Sequence, residues 1–122
     1  MIIFLILELS NVIMLYLFPG TKKGNGKMIF SNGNEVEGNW SRAGELSDGT
    51  MRFSNGDVYE GELENGERNG KGKMTYKDGE DILEQYEGDF QHGQYHGQGT
   101  LIDRYGEVLE GTFKENKYIK NK

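Results

Sequence analysis

The chain has 122 residues, enough for one small domain with a modest core. It contains no cysteine, which excludes a disulfide scaffold, a thiolate metal site and a cysteine nucleophile, while an aromatic share of 11% argues against disorder. The net charge of −6 is unevenly spread: residues 36–113 carry 17 acidic and 7 basic side chains, and the two ends carry 7 basic and 3 acidic ones. Such an acidic body repels nucleic-acid phosphates and an anionic membrane surface, so no nucleic-acid partner is expected.

The chain opens with MIIFLILELSNVIMLYLF, fifteen of whose eighteen residues are apolar. A cleaved signal peptide wants a basic start, and none is present. A membrane-spanning helix needs ~20 apolar residues, and Glu8 at the centre costs about 3 kcal/mol on insertion scales. A third reading is structural. Leu9-Ser10-Asn11 echoes Phe30-Ser31-Asn32 and Phe53-Ser54-Asn55, which makes Phe4 to Asn11 a strand capping whatever follows. Residues 1–12 are therefore set apart as an apolar segment, either a capping strand or a membrane anchor. Lys22, Lys23 and Lys27 come next and are the candidate basic contacts for lipid.

From residue 13 the glycines repeat. Counted from Gly61, glycines follow at Gly66, Gly70, Gly72 and Gly79; counted from Gly88, the same spacing gives Gly93, Gly97, Gly99 and Gly106. Two residues before each origin stand Ile13, Val36, Tyr59, Tyr86 and Leu109. Two residues after it stand Leu17, Trp40, Leu63, Phe90 and Phe113. Further along each copy come Met28, Met51, Met74 and Leu101, then Phe30, Phe53 and Tyr76, with Asp103 breaking the last series. All these intervals are even, so they lie on one face of strands, with Glu60, Glu62 and Glu64 on the wet face. Asn32-Gly33, Asn55-Gly56, Asn65-Gly66, Asn69-Gly70 and Asp78-Gly79 supply hairpin turns. Each 23-residue unit thus reads as strand, glycine-rich connection, strand, turn, over residues 13–113. Four extra residues near Asp81 to Glu84 interrupt the period, read as a surface bulge or a feature particular to this chain. Residues 114–122 form a lysine-rich tail.

Candidate chemistry fades on inspection. Lys71 and Lys73 follow glycines in GKGK, but Met74 stands where a phosphate loop needs Ser or Thr, and no helix follows. His92 and His96 sit where the preceding copy has Asn65 and Asn69, and no third metal ligand accompanies them. The acids alternate with apolar residues and form no nucleophile–base set. Asn39-Trp40-Ser41 is a glycosylation sequon built around an expected core residue. No cofactor, metal or enzymatic activity is expected.

YEGELENGERNGKGKMTYKDG and YEGDFQHGQYHGQGTLIDRYG resemble the MORN (membrane occupation and recognition nexus) repeat, with about four copies and a partial fifth. The resemblance implies an all-β fold, an elongated row of antiparallel β-hairpins forming one curved, open sheet. It also implies a non-enzymatic scaffold or protein-interaction module whose partner is another protein or a second copy. The alternative is a peripheral membrane or phosphoinositide-binding module using the apolar N-terminus and the basic ends. The expected binding surface is the aromatic row of Trp40, Phe53, Tyr59, Tyr76, Tyr86 and Phe90, and the expected location is cytoplasmic or membrane-associated.

Overall fold

The computed structural model describes residues 3–5, 12–17, 25–40 and 46–121, with side chains described from Gly26 onward apart from Trp40 and Asn121. Among these residues it is all strand and turn. The strands are β1 (Ile3–Leu5), β2 (Val12–Leu17), β3 (Asn25–Phe30), β4 (Glu35–Trp40), β5 (Leu46–Arg52) and β6 (Val58–Glu64). They continue as β7 (Glu67–Asp78), β8 (Asp81–Gln91), β9 (Gln94–Asp103), β10 (Val108–Lys114) and β11 (Lys117–Asn121). Each pairs antiparallel with the next, so one open eleven-stranded sheet runs in chain order.

Two kinds of turn join the strands. At Phe30–Asn34, Phe53–Asp57 and Asp103–Glu107 the chain makes a three-residue loop. In the second of these, the Gly56 N–H bonds the Phe53 carbonyl at 2.9 Å and Gly56 takes a φ of 103°. On the opposite side, Asn65-Gly66 closes a two-residue turn with both residues at positive φ, 51° and 79°. The connection between β6 and β7 is therefore only these two residues. Gly70 and Gly72, expected in a glycine-rich connection, lie inside β7. Asn69-Gly70 is likewise no hairpin turn, because β7 pairs with β8 through Gly70 opposite Phe90.

The in-strand glycines have a different cause. Gly26, Gly38, Gly49, Gly61, Gly72, Gly88, Gly99 and Gly111 stand in one Cα register across β3 to β10. Over the pair Gly88 and Gly99 lies the ring of Tyr86, whose hydroxyl donates to the Asp89 carbonyl at 2.8 Å. Tyr59 covers Gly61 and Gly72 in the same way, donating to the Glu62 carbonyl at 2.5 Å. A side chain on Gly99 would fall 2.5 Å from the Cε1 atom of Tyr86. The glycine row is the space in which the tyrosines lie flat.

The apolar frame set by even intervals forms the core. Tyr59 and Tyr86 are 0% exposed, with Leu63, Met74, Phe90, Tyr95, Phe113 and Val36 also buried. The tyrosines are buried between the glycine row beneath them and the rings of neighbouring strands. Successive repeats interlock through rings: Tyr59 meets Phe90 edge-on at 5.1 Å, and Tyr86 meets Phe113 edge-on at 5.1 Å. Tyr95 stacks on Tyr86 at 3.8 Å. Each repeat is thereby coupled to its neighbour, as quasi-one-dimensional stability requires.

The four-residue insertion does not form a loose loop. It lengthens the β7–β8 hairpin to 12 and 11 residues, pairing Asp78 with Asp81 after an irregularity between Tyr76 and Lys77. The sheet also continues past the residues assigned to repeats. Residues 117–121 of the lysine-rich tail pair with β10 as β11, and Tyr118 stands opposite Phe113. At the other end, Ile3–Leu5 pairs with Leu15–Leu17 of β2. Residues 6–11, which complete the expected capping strand, lie outside the described residues, and the side chains of β1 and β2 do as well.

Candidate interaction surface

Strand alternation gives the sheet two unlike faces. The core face holds the aromatic row named from the sequence. Tyr59, Tyr86 and Phe90 are buried in it, and Phe53 and Tyr76 pack against them half-buried. As an open binding surface this assignment needs correction for the three buried rings, because their area is already spent on neighbouring repeats. Trp40 has its backbone in β4, and its side chain lies outside the described residues. Lys22 and Lys23 also lie outside them, while the Lys27 ammonium is held by Glu35 at 2.6 Å.

Burial pushes the Tyr86 hydroxyl up to about 12, with the Asp89 carboxylate adding to the effect, so it remains a donor at neutral pH. Tyr59 is also raised to about 12 by burial, against the opposing Arg68 charge. Tyr95 is raised further by burial and by the Tyr76 hydroxyl, 3.0 Å away. These are structural phenols, each with a neighbour, and among the described residues no group of metal-ligating side chains accompanies them. His92 occupies a two-residue turn at a φ of 48°, and His96 lies in β9.

The outer face carries the charge. Along one row, register places Lys27, Glu37, Thr50, Glu60, Lys73, Glu87, Thr100 and Glu110 side by side across β3 to β10. Behind it run the glycines, whose bare backbone floors two open grooves. One, of 430 Å³, is lined by Glu37, Asn39, Asp48, Thr50 and Glu60 over Gly38, Gly49 and Gly61. The other, of 230 Å³, is lined by Glu87, Gln98, Thr100 and Glu110 over Gly88 and Gly99. Sequence periodicity assigned the acids to solvent but missed these grooves. The missing glycine Cβ atoms face the core, beneath Tyr59 and Tyr86, so the grooves follow from the register that sets polar residues of different repeats side by side.

Some outer-face acids also hold the backbone. Where the ladder slips after Gly61 and Gly88, Glu62 accepts the Lys71 N–H at 2.6 Å and Asp89 accepts the Gln98 N–H at 2.9 Å. Asp89 also pairs with the Lys71 ammonium. Partial burial raises the Asp89 carboxyl, but Lys71 and the Gln98 N–H outweigh this and hold it below the ordinary carboxylate value. A carboxyl depressed on folding stabilises the fold above its unfolded value, and that contribution is lost as pH falls through the folded one. The urea midpoint is accordingly expected to drop between about pH 5 and about pH 3. Asp89→Asn should make that drop smaller, and an unchanged acid limb in the variant would show that Asp89 does not contribute.

No curated protein matches the chain. The family model for the MORN repeat matches residues 20–35, 59–80 and 86–104. The latter two segments span the tyrosine-over-glycine units centred on Gly61 and Gly88. MORN repeats are in general protein- or membrane-interaction modules. Register, turns and sequence match agree: the chain is a MORN-repeat protein.

Proposed function

We propose that the chain is a non-enzymatic, cytoplasmic interaction module that holds a polypeptide partner on the outer face of its sheet. One observation supports this most: the aromatic stripe is consumed between repeats, so the large surface left over is an open, polar, acidic sheet face. Open grooves of this kind enclose no small molecule, yet their length suits an extended chain. The acidic balance of residues 36–113 disfavours anionic lipid as the ligand of this face.

The test joins two measurements. Cross-linking in cells is expected to join outer-face Lys73 to another polypeptide. Sedimentation with phosphatidylserine or phosphoinositide vesicles is expected to leave the chain in the supernatant, with or without residues 1–20. Vesicle capture without any polypeptide cross-link would overturn the reading. The membrane alternative is favoured by one feature, the apolar run of residues 1–18 followed by Lys22 and Lys23. Salt-sensitive pelleting lost on removing residues 1–24 would establish it. Among the described residues no helix is long and apolar enough to cross a membrane.

A further inference from the structure

The two outer grooves share one three-residue motif. Each presents glutamate, threonine, glutamate on three consecutive strands: Glu37, Thr50 and Glu60 on β4 to β6, and Glu87, Thr100 and Glu110 on β8 to β10. Each is floored by glycine backbone. Glu60, Glu87 and Glu110 make no ion pair among the described residues, and Glu37 has only the exposed Arg52, 3.1 Å away. An exposed pair of that kind contributes little and is readily exchanged for another cation. Between the grooves, on β7, Lys73 takes the threonine's place and divides them.

We propose that the outer face is a two-site receptor for an extended basic polypeptide, one cationic side chain entering each groove. This rests on the interaction-module reading and names the chemistry of its partner. The centres of the grooves, at Thr50 and Thr100, lie four strand spacings apart, about 19 Å. An extended chain rises about 3.3 Å per residue, so the two cations stand about six residues apart. The peptide crosses the strands along the polar row that runs from Glu37 to Glu110. The threonine at each centre can accept from an ammonium or guanidinium held between the glutamates. Lys73 meets the middle of the peptide and disfavours a third cation there, which sets the spacing as well as the sign of the ligand.

The test is fluorescence anisotropy with a labelled Ser/Gly peptide carrying two lysines about six residues apart, compared with one carrying adjacent lysines. The full chain is expected to bind the spaced peptide more tightly, with affinity falling as salt rises. Glu87→Gln with Glu110→Gln should weaken binding about tenfold. Lys73→Gln should strengthen binding of a peptide with a third, central lysine. Asp78→Asn with Asp81→Asn, at the tip of the long hairpin, removes the same charge and should leave affinity unchanged. All these side chains are exposed, so folding is not at stake. Equal weakening by the hairpin-tip variant, or indifference to lysine spacing, would reduce the surface to diffuse electrostatics and overturn the proposal. A cross-linked partner whose binding ignores these variants removes this surface but leaves the interaction-module reading standing, whereas vesicle capture alone removes both.

Discussion

Tyr86→Ala is expected to lower the unfolding free energy by about 4 kcal/mol, the range for deleting a buried aromatic ring. The ring is fully buried, stacks on Tyr95 and meets both Phe90 and Phe113 edge-on. Its loss therefore opens a cavity and uncouples two repeats at once. Tyr86→Phe keeps the ring and removes only the hydroxyl, leaving the Asp89 carbonyl without that donor. It should cost about 1 kcal/mol. Urea unfolding of the three proteins gives the comparison. Equal losses for the alanine and phenylalanine variants would mean that the hydrogen bond, rather than the packing, joins the repeats.

Gly99→Ala is expected to cost about 3 kcal/mol, although it adds one methyl group to an ordinary strand position. The added Cβ falls within 2.5 Å of the Tyr86 ring, a contact that only displacement of a fully buried side chain can relieve. Gly106→Ala is the comparison. That glycine has a φ of 86° and no atom within 4 Å of the added carbon, so its cost is conformational, about 1 kcal/mol. The double variant Tyr86→Ala with Gly99→Ala should lose less than the sum of its parts, because the methyl enters space that the ring has vacated. Additive losses would show that the glycine serves the backbone alone.

That coupling explains how the module tolerates its insertion. The hairpin grows from its turn end while Tyr86, Gly88 and Phe90 keep their register with β7 and β9. The extra residues sit where Asn34 and Asp57 of earlier repeats hold the next turn through Ser54 and Lys77 amides at 2.8 and 2.9 Å. Glu84, at the equivalent position, instead lies 3.5 Å from the Tyr95 hydroxyl. The stitching along one edge changes there while the aromatic contacts between repeats persist.

The all-β class, the repeat, the evenly spaced core frame and the wet acidic face were all legible in the sequence. Each is written in local periodicity: strand geometry turns an interval of two into a face, and fixed glycine spacing into a repeating unit. Intervals do not say what a glycine is for. Asn55-Gly56, Asn65-Gly66 and Asn69-Gly70 look alike as dipeptides, yet they become a three-residue loop, a two-residue turn and part of a strand. Pairing with the neighbouring strands decided among them. Only the tertiary structure laid Tyr59 and Tyr86 over the glycine row, closing the aromatic stripe against partners. It also drew the lysine-rich tail into β11 and aligned Glu37, Glu60, Glu87 and Glu110, residues far apart in the chain, along one row. Register across strands is a non-local quantity, set when side chains on one face find room together, and no single repeat contains it.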